Sequence, residues 1–194
     1  MADPYEVHGR EYWNRRHAQR AASGRALHPR SLLTSHLQLL PKQGRALDVA
    51  AGLALNGLFL ARHGLSVTAV DFAESGLRLA MTTARQEKLD FQAVIANLSQ
   101  FVLPPEFFAV IVNTMFLDRN LFDDFRRALQ PGGLLFFESL SKESASAEGH
   151  YIKAGEMRDM FSDYSVEFEG GRLFTARDGN EIRQTYGIIL RKPC

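Results

Sequence analysis

The stretch Leu47-Asp48-Val49-Ala50-Ala51-Gly52-Leu53-Ala54-Leu55-Asn56-Gly57 decides how the rest of the chain is read. The run from Arg45 to Ala50 has the length and apolar content of a short buried strand. A turn of small residues follows, and a helix resumes through Leu58, Leu60 and Ala61 to end near Gly64. Small residues at 50, 51, 52 and 54 let a ligand approach the backbone closely. The free N–H groups of the following helix start point at that ligand. Ala54 is expected to stay in ordinary backbone space, because a left-handed alanine costs ~1–2 kcal/mol. Asp71 closes the next strand, where a carboxylate can accept from both hydroxyls of a ribose.

Outward from this turn, the two apolar periods alternate. Arg30 to Leu40 has helical spacing and is stopped by Pro41. Ser66–Asp71 and Phe91–Ala96 read as strands around a helix over Glu74–Lys88. Phe107–Thr114 is a fourth strand, Asp118–Leu129 a helix capped by Asp118, Pro131-Gly132-Gly133 a turn, and Leu134–Leu140 a fifth strand. Such alternation marks a parallel sheet covered by helices. The last third differs. A short helix over Glu156–Phe161 precedes strands at Tyr164–Glu169 and Ile182–Arg191, with Asp178-Gly179-Asn180 as turn chemistry, so an antiparallel pair is expected. The polar segment Ser139–Gly149 reads as a mobile loop or lid.

Composition narrows the function. A chain of 194 residues is one domain's worth, and 45% hydrophobic against 23% charged residues is globular, which excludes a disordered tail. A net charge of +1 argues against nucleic-acid binding as the main task. Cys194 is the only cysteine, so no internal disulfide or cysteine-based zinc site forms, and no metal is expected. The first residues lack a signal-like apolar run and no stretch has the length of a membrane span. A cytoplasmic protein with no membrane partner is the expectation.

Gly52-Leu53-Ala54-Leu55-Asn56-Gly57 also approaches the dinucleotide pattern G-x-G/A-x-x-G, which keeps an NAD-dependent oxidoreductase open. Asp48 inside the strand, the Pro-Gly-Gly turn and the late antiparallel pair discriminate against it. With these residues the chain resembles the class I S-adenosylmethionine-dependent methyltransferases from about Arg45 to Leu140. Their D/E-x-G-x-G-x-G motif stands here as Asp48-Val49-Ala50-Ala51-Gly52-Leu53-Ala54. Val67-Thr68-Ala69-Val70-Asp71-Phe72, Ala96-Asn97-Leu98, Ile111-Val112-Asn113-Thr114-Met115 and the Pro-Gly-Gly turn before Leu134-Leu135-Phe136-Phe137-Glu138 follow in the family's order. A closer likeness is to the small tellurite-resistance-type (TehB-like) members. Tyr12-Trp13-Asn14-Arg15-Arg16-His17, Ala51-Gly52…Asn56, Phe116 to Phe122 and the C-terminal Asp178-Gly179-Asn180-Glu181-Ile182 carry it. Leu173 and Phe174 stand where members acting on tellurite have a His-Arg pair, a departure that argues against that substrate.

The resemblance implies a single doubly wound, Rossmann-like α/β domain over 29–194, with a seven-stranded, mostly parallel sheet and an antiparallel last strand. Residues 1–28 would form an N-terminal flap or helix. It implies S-adenosylmethionine as cofactor, S-adenosylhomocysteine as product and a small-molecule substrate. Asp48, Ala50, Gly52 and Asn56 would form the cofactor cradle, Asp71 would hold the ribose, and Phe72 would lie on the adenine face. Asn97 and Leu98 would meet the adenine edge, and Asn113 would approach through its backbone. Tyr12, Trp13 and Arg16 would close over the site. Met115, Tyr151 and Arg172 are the substrate-side candidates, and His17, His28, His36 and His63 read as structural. No residue stands out as catalytic. The lack of an obvious acid–base pair at the mouth points to a soft or pre-ionised nucleophile. Loss of two motif glycines keeps open a non-catalytic cofactor-binding protein.

Overall fold

In β1 (Arg45–Val49), every residue after Arg45 is buried, which puts this strand in the middle of the molecule. The computed structural model describes residues 9–141, 151–153, 155–175 and 182–194. Around β1 lie β2 (Ser66–Asp71), β3 (Phe91–Ile95), β4 (Phe108–Thr114), β5 (Leu129–Leu140), β6 (Ser165–Thr175) and β7 (Ile182–Arg191). They form one seven-stranded sheet in the order β3-β2-β1-β4-β5-β7-β6. The pairings of β1 through β5 are parallel, and β7 runs antiparallel to both β5 and β6.

The strand order reverses between β1 and β4, so the chains leaving these two strands separate and open a crevice at their C-terminal ends. In open α/β sheets ligands bind at such a switch point. The helices are α1 (Arg10–Ala21), α2 (Ser31–Thr34), α3 (Leu55–Arg62), α4 (Glu74–Gln86), α5 (Phe122–Ala128) and α6 (Glu156–Met160).

Alternation along the strands builds two apolar layers. Ala46, Val110, Val112, Phe136 and Ile189 pack with Leu32, Leu60, Leu77 and Ala80 on one face. Leu47, Val49, Ile111, Leu135 and Phe137 pack with Phe122, Phe125, Met157 and Phe161 on the other. Phe122 anchors the second layer, its ring 5.7 Å from Phe137 and 6.0 Å from Phe161. Both are T-shaped contacts of the kind the ring quadrupole favours.

Four expectations change on contact with the structure. The helix over Arg30–Leu40 is split into α2 and a 3-10 turn at Leu37–Leu39. His36 leaves helical space there (φ −121°), and its Nδ1 meets the Leu32 carbonyl at 2.8 Å, in place of a continuing backbone bond. The Pro131-Gly132-Gly133 turn lies inside β5 as an irregularity between the Phe108–Leu129 and Val110–Leu134 pairs. Gly132 is left-handed there (φ +73°), and its N–H donates to the Lys192 carbonyl at 3.1 Å. The Asp118–Leu129 helix begins as a 3-10 turn, Arg119–Leu121, with the Asp118 carboxylate accepting from the Asn120 N–H at 3.1 Å. Strand β6 runs past Glu169 to Thr175, because β7 offers ten residues of pairing edge. Asp178-Gly179-Asn180 and most of the Ser139–Gly149 segment lie outside the described residues. Among the described residues no helix is long and apolar enough to cross a membrane.

Candidate functional site

The turn after β1 takes the left-handed conformation at every second residue: Ala50 (φ +49°), Gly52 (φ +55°) and Ala54 (φ +48°). These are the three positions where the motif has glycine. The expectation that Ala54 stays in ordinary space is therefore wrong. Left-handed alanine costs ~1–2 kcal/mol, and two of them persist only because the surroundings over-determine the turn.

Those surroundings are specific. The Asp71 carboxylate accepts from the Gly52 N–H at 2.7 Å through one oxygen and from the Ala73 N–H at 2.8 Å through the other. The Asp48 carboxylate, 1% exposed, accepts from the Gly57 N–H at 2.8 Å and so pins the first turn of α3. Asn56 Nδ2 donates to Thr114 Oγ1 at 3.0 Å, and Asn56 Oδ1 accepts from the Arg30 N–H at 2.9 Å. Gly76, near the start of α4, stacks directly on the turn: a Cβ there would lie 2.0 Å from the Gly52 carbonyl oxygen. Sequence reasoning passed over Gly76, although a glycine in an otherwise strong helix former is itself a signal of close approach.

Above the turn sits α1. A Cβ on Gly52 would lie 2.9 Å from Cε1 of His17, whose ring is stacked on Trp13 at 5.6 Å. Arg16 Nη1 donates to the Tyr12 hydroxyl at 3.0 Å, and its guanidinium lies 5.6 Å from the Trp13 ring centre. The helix is held down by Asn14, whose Oδ1 accepts from the Ser75 N–H at 2.9 Å and whose carbonyl accepts from the Ser75 hydroxyl at 2.8 Å. The space that Gly52 leaves open is thus filled by a side chain of a docked helix, not by the core. His17 belongs to this constellation, at helical i+4 spacing from Trp13, a relation already visible in the sequence.

The remaining predicted residues divide. Phe72 is half-buried beside Asp71. Asn97 turns its Oδ1 back on Ser99, accepting from the N–H at 3.1 Å and the hydroxyl at 3.0 Å, so that oxygen caps a 3-10 turn. Leu98 is buried in the second layer. Asn113, level with Val49, is fully buried, and its side-chain oxygen and nitrogen have no hydrogen-bond partner among the described residues. Met115 is left-handed (φ +59°), and its N–H donates to the Glu138 carbonyl at 2.7 Å. Tyr151 stands apart: its carbonyl accepts from Arg119, which is paired with Glu156. Arg172 bonds the Ser31 hydroxyl beside Glu138.

Electrostatics follow burial. Desolvation pushes the Asp48 carboxyl up to about 7, against the pull of the Gly57 N–H and Asn56. Burial also raises Asp71 and lowers His17, so the imidazole over Gly52 is held toward its neutral form.

The expected cost of crowding the turn is direct. Gly76→Ala should destabilise the protein by ~1–3 kcal/mol, the range for overpacking, despite alanine's better helix propensity. Denaturant melts would show it, and an unchanged midpoint would mean that α4 is free to shift. For Asp48, a raised folded pKa means that the folded state binds the extra proton. Its contribution to stability is therefore present below pH 4 and is lost as pH rises toward about 7. Asp48→Asn keeps an acceptor for Gly57 without the charge. Its stability relative to the parent should climb between pH 4 and 7 and then level off. A constant offset across that range would show that Asp48 titrates normally.

Comparison with known proteins agrees with this geometry. The family described as a methyltransferase domain matches residues 46–133. The ubiquinone biosynthesis O-methyltransferase of Coxiella burnetii (strain RSA 493 / Nine Mile phase I) is 27% identical over 110 residues, 54% of this chain and 47% of that protein. The chain spans about half the length of the curated relatives it matches. Among solved structures, a SAM-dependent methyltransferase from Methanosarcina mazei superposes with a TM-score of 0.68 at 20% identity, covering 86% of this chain and 99% of that one. TehB from Haemophilus influenzae gives a TM-score of 0.72 at 16% identity, over 94% of this chain and 66% of that one. Residues 46–133 match the methyltransferase-domain family, and the fold of the chain is that of SAM-dependent methyltransferases.

Proposed function

We propose that the chain transfers the methyl group of S-adenosylmethionine to a small-molecule nucleophile. The observation that carries this reading is the turn itself. Three left-handed residues stand at the motif positions, with Asp71 clamping the central amide, although only one glycine is left. A backbone held so strictly at a strand end is what close approach of a cofactor requires.

In this reading the cofactor supplies an activated methyl group on a sulfonium, and the protein supplies alignment and desolvation. Asp71 keeps lone pairs for the ribose hydroxyls beyond the two backbone bonds it makes. Phe72 and the Asn97–Leu98 backbone serve the adenine side. Asp48 and Asn56 act at one remove by fixing the start of α3. The buried, unpartnered Asn113 amide offers polar contacts at the switch point. Residues 1–28 act as a closing flap on the domain 29–194, with Tyr12, Trp13 and Arg16 as its working face. For the cofactor to lie over Gly52, the His17 ring must withdraw.

That same ring favours one second reading, a cofactor-binding protein whose α1 keeps the cradle shut and which does not turn over. Calorimetry with S-adenosylhomocysteine and with NAD separates the readings, followed by turnover with a panel of acceptors. Binding of the homocysteine adduct and not of NAD is expected. Asp71→Ala should weaken it by ~1.5–3 kcal/mol, about ten- to a hundredfold. Emission of Trp13, the only tryptophan, should change as its stacking on His17 is broken. NAD binding without adduct binding would overturn the class. Unchanged emission at saturation would remove the flap.

A further inference from the structure

Thr114, Glu138, Gly187 and Gly170 stand in one register row across β4, β5, β7 and β6, one step beyond Asn113. Paired residues of a sheet face the same side, so this row lies on the side that carries Val112, Phe136 and Ile189. Two of its four positions have no side chain, and the result is a shelf. A Cβ on Gly187 would touch Leu32 at 3.4 Å, so α2 roofs the shelf closely. Between them lies a cavity of about 110 Å³, bordered by Ser31, Ser35, Glu138, Phe168, Arg172 and Thr185. It holds the volume of roughly four waters, at about 30 Å³ each.

The wall of this cavity contains a buried carboxylate oxygen that receives no hydrogen bond from the described residues. Glu138 is 5% exposed, and its Oε2 has no hydrogen-bond partner among the described residues. Among the described residues Arg30 forms its ion pair, with Nε 3.9 Å away, too far for the 2.7–2.9 Å of a charge-assisted bond. A buried carboxylate oxygen without a donor is costly, so a persistent one marks a place where a ligand donates. Arg172, tied to the Ser31 hydroxyl, presents a guanidinium at the same cavity. The cavity is linked to the turn after β1 through two of its neighbours, Thr114, which pairs with Glu138, and Arg30, which precedes Ser31. Asn56, in the first turn of α3, holds both the Thr114 hydroxyl and the backbone of Arg30.

We infer that this cavity is the acceptor pocket, and that it takes a small amine bearing an anionic group, of the size and charge pattern of glycine or β-alanine. The inference rests on the methyltransferase reading above and names its substrate class. The amine N–H donates to Glu138, and the anionic end pairs with Arg172 and Arg30. In the transfer itself the bound ammonium first gives a proton to the Glu138 carboxylate, and the lone pair so freed forms the C–N bond while the sulfonium C–S bond breaks. The bonding pair leaves with sulfur, and the product leaves as the methylated ammonium. The general base that the sequence did not reveal is therefore Glu138, at the end of an apolar strand run.

The test is calorimetric titration of the full chain with glycine, β-alanine, ethylamine and propionate, with and without S-adenosylhomocysteine, and methyl-transfer assays on the two amino acids. β-Alanine or glycine should bind at least tenfold more tightly than propionate or ethylamine, since each of these lacks one of the two charges. Glu138→Gln should abolish that preference over propionate while leaving adduct binding within twofold, and Arg172→Met should remove the preference over ethylamine. The Gln variant should also lose transfer more than binding, with partial recovery at high pH, where more of the acceptor is already the neutral amine. Equal binding of propionate and β-alanine, or a Glu138→Gln variant indistinguishable from the parent, overturns the inference while adduct binding leaves the methyltransferase reading intact. Amine binding that depends on Glu138 in a chain that ignores the adduct keeps the pocket and removes that reading.

Discussion

Everything at the switch point depends on one carboxylate. Asp71 ends β2 and spans to the Gly52 amide on one side and the Ala73 amide on the other. It thereby ties the β1 turn to the start of α4, two segments that the chain order alone would leave independent. Bonds from backbone amides to a charged, buried acceptor are worth about 1.5–3 kcal/mol each, enough to hold left-handed alanines in place. Gly76 presses on the other end of the same residue, at the Gly52 carbonyl. The Gly52 unit is therefore fixed at its N–H, at its carbonyl and, through His17, on its open side.

Much of this was legible in the sequence. Strand and helix alternation pointed to the parallel sheet and the late strands to an antiparallel pair, while the seven-stranded sheet with its antiparallel last strand came from the family resemblance. The element boundaries that failed did so where side chains or distant strands intervene. His36 takes the Leu32 carbonyl and splits a helix that periodicity alone would continue. The C-terminal residues pair with Gly132 and Gly133 and draw a Pro-Gly-Gly turn into β5. The first is a side-chain competition that apolar spacing does not register, and the second has a partner about sixty residues away.

The site shows the same division. The backbone roles of Asp71 and Gly52 are legible because their residue types fit only a few backbone tasks. The family likeness gives Asn97 the adenine edge; its oxygen lies on Ser99, a contact two residues away that a turn-forming asparagine has within reach. Glu138 was passed over because an acid at the end of an apolar run looks like a strand terminus. Only the register, which lines it up with Gly187 and Gly170, shows that it is enclosed. The turn itself carries a more general point: alanine at two of the three motif positions adopts the left-handed torsions that glycine adopts freely.

The docking of α1 through Asn14 and Ser75 bears on how tightly the cradle can hold anything. A ligand over Gly52 competes with an intramolecular ring for the same volume, so its observed dissociation constant is the intrinsic one divided by the fraction of molecules with the helix away. A helix undocked about one-hundredth of the time weakens apparent affinity about a hundredfold. The strength of two hydrogen bonds to one serine thus sets the concentration range in which the cradle responds.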